Sequence, residues 1–348
     1  INPDFNAIAS AYKIANRKVT KRDELDEAIN DMLSNDEAFL LVVEVEDDKA
    51  AGLLKEITKI VVPSGEKSKS IENVMLIWNK LLDAKAGRDS ILINLGGGTI
   101  SDLGGFAAST YKRGIDFVNV PTTLLAMIDA SIGGKNGINF NNYKNQIGLF
   151  SEPKSIIINT RFLKTLNERD IKSGIAEMMK YAFIADDSFL DLDTDNYLDY
   201  IEKAAMTKDE IVSLDMRESG LRKILNFGHT IGHALESYYV DKENYLTHGE
   251  AVALGIYSSL YLSVKYCGLD EKWLFFYEMW FKGNLDLMNL NDFDVDEIMK
   301  YISHDKKNKG GKPCFVLVSK PEKPVIDVEV MPHDIRDSIM ILKNKFSL

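Results

Sequence analysis

Two cysteines, Cys267 and Cys314, are all that 348 residues carry, and they stand in no CxxC or metal-like spacing. A disulfide framework and a thiolate zinc site are therefore not expected, and a reducing compartment is. Positive charge is also short. With 42 Lys and Arg against 53 Asp and Glu, the net charge is -11, which works against broad binding to nucleic acid or an anionic membrane. An anionic ligand must be held by a local cluster of cations. No run reaches the 18 or so apolar residues that span a bilayer, and the start, INPDFNAIAS, lacks a basic region followed by an apolar one. A cytoplasmic protein is expected. What the chain does have is 45% hydrophobic against 27% charged residues, enough to bury a core, and a length that suits roughly two domains.

The first part alternates helical and extended patterns. Thr20 and Asp23 ahead of Leu25, Ile29 and Leu33 predict a capped amphipathic helix. A strand over 39–45 follows, then a helix through Leu53, Leu54 and Ile57, and a short strand over 60–62 that Pro63, Ser64 and Gly65 break. A helix over 71–82 precedes a strand over 90–95, which runs into Gly96, Gly97 and Gly98. This βαβ rhythm predicts a parallel sheet with covering helices. From Asn167 onward the apolar periods lengthen, over 174–185, 195–213, 221–239, 249–267 and 294–302, and predict an all-α second half. The expected domains are 1–166 and 167–348. Residues 186–195 are acidic enough to read as a solvated loop.

Several segments could carry chemistry. GGGTISDLGGF after a strand is a glycine-rich turn opening a helix, where backbone N–H groups can approach a pyrophosphate, although the spacing departs from GxGxxG and a tight structural turn reads nearly as well. In PTTLLAMIDASIGGKNG, Pro121 suits a first helical position, and Gly133 with Gly134 ends the helix before Lys135. Lys135, Lys144 and Asn145 then share a short polar segment that reads either as an anion site or as solvated surface. Three of the five histidines, His229, His233 and His248, fall within twenty positions. Two imidazoles, one carboxylate and an open position make a usual catalytic zinc set. Glu177 could be the carboxylate, with Lys180 three positions on; Glu236 and Glu250 are its rivals, and spacing does not say which histidines ligate. If helix extends back to Leu221, Arg222, Asn226, His229 and His233 form one stripe, where Arg222 could clasp a carboxylate or phosphate or simply pair with Glu218. SHDKKNKGGK groups Lys306, Lys307, Lys309 and Lys312 as an anion lid or as plain surface.

In order along the chain, GGGTISDLGGFAASTYKRG, VPTTLLAMIDASIGGKNGIN, KNQIGLF, FLKTL, GIAEMMKY, ESGLRKILNFGHTIGHALE, HGEAVALGI and HDKKN closely resemble the 3-dehydroquinate synthase family, from about Val61 to near the C-terminus. The resemblance implies a Rossmann-like α/β N-terminal domain that binds NAD, a helical C-terminal domain holding a divalent metal, zinc or cobalt, and a homodimer. It implies Glu177, His229 and His248 as metal ligands, with His233 left for the substrate phosphate and proton transfer. NAD contacts would fall on Ser64, Gly65, Glu66, Lys67, Ser68 and Lys69, on Gly98, Thr99, Ile100, Ser101 and Asp102, on Thr122, Thr123 and Lys144, and on Phe162, Leu163, Lys164 and Thr165. Lys135 would sit between NAD and the substrate phosphate. Asp129, Lys180, Lys208, Arg222, Asn226 and Asn145 would line the substrate pocket, Lys208 and Arg222 facing its carboxylate, and Arg113 would reach across the dimer interface. The implied reaction turns 3-deoxy-D-arabino-heptulosonate 7-phosphate into 3-dehydroquinate and phosphate, by transient oxidation at C5, phosphate elimination, return of the hydride, ring opening and aldol closure.

The first 48 residues do not follow the family's opening strand with its Thr-Asp pair. They resemble instead the C-terminal piece of an acetolactate-synthase-type enzyme, with Glu46, Asp47 or Asp48 as substitutes for the aspartate. The rival readings are another sugar phosphate cyclase, a metal-dependent oxidoreductase of the glycerol dehydrogenase type and a catalytically silent nucleotide-binding relative. Intact Glu177, Lys180, His229, His233 and His248 speak against the last.

Overall fold

The short aliphatic run ahead of Gly96 becomes a strand, and glycine again decides how closely the helix that follows lies on the sheet. The computed structural model describes residues 15–19, 39–43, 58–141, 143–240, 242, 245–285, 293–303 and 313–346. Strands β1 (Ala15–Val19) and β2 (Phe39–Val43) pair in parallel, Ala15 opposite Phe39. The helices expected from Thr20 and through Leu53 lie outside the described residues. Residues 60–62 are not the expected strand; with no ladder partner among the described residues they lead to Gly65, at φ 93, and a 3-10 turn over Glu66–Ser68. Pro63 can donate nothing to a ladder there.

Helix α1 (Ile71–Asp83) forms where expected: the Ser70 side chain accepts from Asn73 N, and Val74, Ile77 and Leu81 face inward at helical spacing. Strand β3 (Ile91–Gly96) leads into α2 (Gly98–Thr110), and β4 (Asp116–Pro121) returns parallel to β3. Pro121 therefore closes a strand and does not open a helix. The helical turn comes later, over Ala126–Ala130, and it is of the wide π type. Lys135–Phe140 (β5) and Tyr143–Phe150 (β6) form an antiparallel hairpin, and Ser155–Ile156 (β7) adds to β4. Lys135 pairs with Phe150, so Lys135 and Lys144 stand at opposite ends of the hairpin and not in one cationic cluster.

The second half is built on α3 (Glu168–Ile184), α4 (Ile201–Leu214), α5 (His229–Tyr239), α6 (His248–Cys267), α7 (Glu271–Asn284), α8 (Val295–Ser303) and α9 (Pro332–Phe346). It is not all-α. Strands β8 (Cys314–Val318) and β9 (Pro324–Glu329) make an antiparallel hairpin in which Phe315, Val316, Leu317 and Val318 are all buried, a continuous apolar run too short to be told from a buried piece of helix by its period. The acidic stretch over 186–195 is not simply solvated either, because Phe189 and Leu192 anchor it in the core. Helix α6 is buried almost all round, the mark of a central helix. Its core takes in Leu124, Met127, Ile128 and Leu163 from before residue 167, so the two halves share one continuous wall at the site.

Candidate active site

Two of the three clustered histidines, His229 and His248, are placed by two helix starts. Gly228 adopts φ 80, and a Cβ on it would lie 2.9 Å from the backbone nitrogen of Ile256, so only glycine lets α5 begin against α6. This breaks the expected helix over 221–239: Leu221–Asn226 is a separate 3-10 turn, and Arg222 and Asn226 do not continue the stripe of His229 and His233. Helix α6 starts at His248 under a capping box, Thr247 accepting from Glu250 N and Glu250 from Thr247 N. His229 and His248 are thus first residues of packed helices.

The imidazoles of His229, His233 and His248 converge, with one nitrogen of each within 4.8 Å of the others. Glu177, from the middle of α3, stands behind His229, its Oε1 3.6 Å from Nε2. The Nδ1 of His229 faces the carbonyl of Phe227 at 3.0 Å, which assigns the proton to Nδ1 and leaves Nε2 as an acceptor. Glu177 is fully buried, and its Oε2 has no hydrogen-bond partner among the described residues. A buried carboxylate oxygen without a partner is costly unless a cation takes it, so the residues present fit a divalent metal. Of its rivals, Glu250 is committed to the helix cap and to Arg169, whose Nε and Nη2 donate to it at 2.7 and 2.8 Å. Glu236 lies behind His248, Oε2 3.4 Å from Nδ1.

Buried cations line the next layer. Lys180, one turn beyond Glu177, bonds its carboxylate. Lys208 of α4 reaches Asp129 Oδ1 at 2.7 Å. Burial works to raise the Asp129 carboxyl, but Lys208 and Lys180 outweigh it and hold the group well below the ordinary carboxylate range. Arg222 is buried, with its guanidinium donating to the carbonyls of Met216 at 2.6 Å and Gly133 at 2.9 Å, while Nε has no partner among the described residues. Glu218, at φ 57, bridges Lys135 and Asn226, the latter at 2.6 Å. The structure therefore gathers Asp129, Glu177, Lys180, Lys208, His229, His233 and His248 in one place, with Arg222, Asn226 and Lys135 at its edge. Arg113 stands apart, exposed on a turn after α2 where it and Lys112 both adopt positive φ.

The glycine-rich turn forms the other wall. Gly104 and Gly105 are placed so that a Cβ would fall 1.8 Å from Asn94 Oδ1 and 1.9 Å from Asn136 Oδ1, which draws α2 onto the strands. Gly98 faces Ala130, and Ser101 Oγ is buried in the first helical turn without a partner among the described residues. Open backbone at a helix N-terminus with an unpartnered hydroxyl fits a dinucleotide phosphate. Lys69, buried, donates to Asp102 Oδ2 at 2.7 Å and Asn145 Oδ1 at 2.5 Å, gathering three of the expected cofactor and substrate positions. Burial lowers the Lys69 ammonium, but Asp102 and Glu66 override it and raise it. Ser68 is buried with its hydroxyl on Pro63 O at 2.6 Å. Ser64, Gly65 and Lys67 are exposed, and Thr99, Ile100, Thr122 and Thr123 are half-buried around the same helix start. Phe162, Lys164 and Thr165 lie on a 3-10 turn with Leu163 in the core, so Leu163 offers a ligand its backbone only. The cluster of Lys306, Lys307, Lys309 and Lys312 lies outside the described residues. Sequence reasoning missed Arg169 and the buried Asn94–Asn119 pair at 2.9 Å, for which single residues in helix and strand give no signal.

Residues 59–173 match the family model for the 3-dehydroquinate synthase N-terminal region and residues 174–308 that for its C-terminal region. A 3-dehydroquinate synthase of Parabacteroides distasonis is 37% identical over 353 residues, covering 96% of this chain and 100% of that relative. Among solved structures, a 2-epi-5-epi-valiolone synthase of Streptomyces hygroscopicus with NAD+ and Zn2+ bound superposes with TM-score 0.73 at 24% identity, over 99% of this chain and 94% of that one. A 2-deoxy-scyllo-inosose synthase complexed with carbaglucose-6-phosphate, NAD+ and Co2+ gives 0.72 at 22%, over 94% and 90%. The fold is that of the sugar phosphate cyclases. Within that class the chain belongs to the 3-dehydroquinate synthase family, carbon–oxygen lyases that close a ring as phosphate leaves. The likeness of residues 1–48 to an acetolactate-synthase-type enzyme is unsupported: an alignment over 96% of the chain leaves too few residues outside it for a foreign segment of that length.

Proposed function

We propose that this site converts 3-deoxy-D-arabino-heptulosonate 7-phosphate to 3-dehydroquinate and phosphate, with Glu177, His229 and His248 as metal ligands. The observation that carries the assignment is the buried, unpartnered Glu177 Oε2 beside His229. When bound, NAD supplies a reversible oxidation and the divalent metal Lewis acidity. The chain's own residues hold the substrate. Lys208 and Arg222 take its carboxylate, Arg222 through the buried Nε that lacks a partner. His233 and Lys135 receive the phosphate, and His233 moves the proton that accompanies its departure. Lys180, Asn226 and Asn145 orient the ring hydroxyls, and Asp129 keeps Lys208 aimed into the pocket until the substrate anion takes it over. In this reading residues 1–166 form the NAD domain and 167–348 the metal and substrate domain, Arg113 completes the site of a second copy in a homodimer, and the enzyme works in the cytoplasm on a pathway to aromatic compounds.

Phosphate release from that substrate by the zinc-loaded protein, with and without NAD, tests the proposal. Release that requires NAD while no NADH accumulates is expected. Net NADH would instead mark an oxidoreductase of the glycerol dehydrogenase type, and release from a substrate lacking the carboxylate another sugar phosphate cyclase.

A further inference from the structure

Glu236 has no role in the chemistry above, yet it touches both halves of the site. It follows His229 by seven residues and His233 by three on α5, so all three side chains project from one helix face. Its Oε1 accepts from Lys144 Nζ of β6 at 2.8 Å, while its Oε2 lies 3.4 Å from His248 Nδ1 at the start of α6. The carboxylate is 16% exposed, shielded enough for both contacts to matter. A carboxylate behind an imidazole fixes which nitrogen carries the proton and makes the other a better donor to a metal. Lys144 draws on the same charge. An anionic cofactor that competes for Lys144 leaves more of the Glu236 charge to His248.

We infer that Glu236 is a positioning residue that couples cofactor occupancy to metal affinity, through Lys144 on one side and His248 on the other. The inference rests on the reading that His248 ligates the metal and Lys144 contacts NAD. Coupling between two ligands is reciprocal, so each must tighten the other by the same factor. Glu250 cannot serve as the link, since both its oxygens are held by Arg169 and the cap of α6.

The test measures zinc affinity by chelator competition and NAD affinity by fluorescence titration, each with and without the other ligand. In the wild type each ligand should tighten the other about fivefold or more, the lower end of ordinary coupling. Glu236→Gln should weaken zinc about tenfold or more and bring the coupling factor to one, with its melting temperature close to wild type. Glu236→Asp, which keeps the charge, guards against a folding defect in the first variant and should restore part of the coupling. Glu236→Gln with wild-type zinc affinity, or with coupling intact, overturns the inference. His248→Ala separates the two levels: a full zinc complement there sinks the ligand assignment itself, whereas lost zinc there alongside an unchanged Glu236→Gln sinks only the link.

Discussion

Around α2 the site is made by small groups and open backbone; around α3, α5 and α6 it is made by long charged side chains buried together. Gly104 and Gly105 allow the first by leaving room for Asn94 and Asn136, and an added methyl group would be felt at once. The second depends on compensation: Asp129 against Lys208, Glu177 against Lys180, Glu236 between Lys144 and His248. The first wall should therefore be sensitive to volume, and the second to charge. Strained loops hold the two together, notably Glu218 at φ 57, which joins Lys135 of the hairpin to Asn226 at the end of the 3-10 turn.

Changes on the charged side should cost most. His248→Ala should lose metal and activity together, with elemental analysis showing less than one equivalent. Arg222→Ala should keep its metal and lower kcat/KM about 100-fold, chiefly through KM, as two or more charge-assisted hydrogen bonds would; an unchanged KM would place the substrate carboxylate elsewhere. On the other wall, Gly104→Ala should cost about 1–3 kcal/mol of stability by overpacking and weaken NAD binding while zinc binding holds, measured by thermal melts and the two titrations. If zinc falls instead, the walls are not separable in this way.

The smallest effect concerns the loop that carries Glu218 and Arg222. The backbone N–H groups of Gly220, Ser219 and Arg222 donate to Asp215 at 2.7, 3.0 and 3.1 Å and hold its carboxyl down to about 2. A folded value below the unfolded one means that this contribution is present above pH about 4 and is lost as the pH falls toward 2. Asp215→Asn should therefore lower stability modestly at neutral pH, with the difference from wild type closing as the pH falls toward 2, so that the acid limb of the stability curve flattens in that window, as chemical melts at stepped pH would show.

Legibility followed how local each feature was. Helix α1, the break after β3 and the start of α6 were readable because caps, glycines and periods lie within a few residues of what they control. The pairing of β8 and β9 and the end of β4 at Pro121 were not, since strand partners are chosen by packing. The same holds within the site. His229, His233 and His248 stand close in sequence and were found as a group, but spacing left open which carboxylate joins them, and it merged Arg222 with the helix of His229. Gly228 separates them because Ile256, 28 residues on, leaves it no room for a side chain.

By itself the sequence determined the order of motifs, hence the family and its chemistry, and the separation of a glycine-rich cofactor half from a histidine-bearing helical half. Tertiary structure alone decided that Glu250 is held by Arg169 while Glu177 is buried beside His229 with an oxygen to spare, and that Glu236 stands between Lys144 and His248. These are three glutamates of one chemical type. What tells them apart is the partner that each meets across dozens of residues of chain, and no local pattern carries that information.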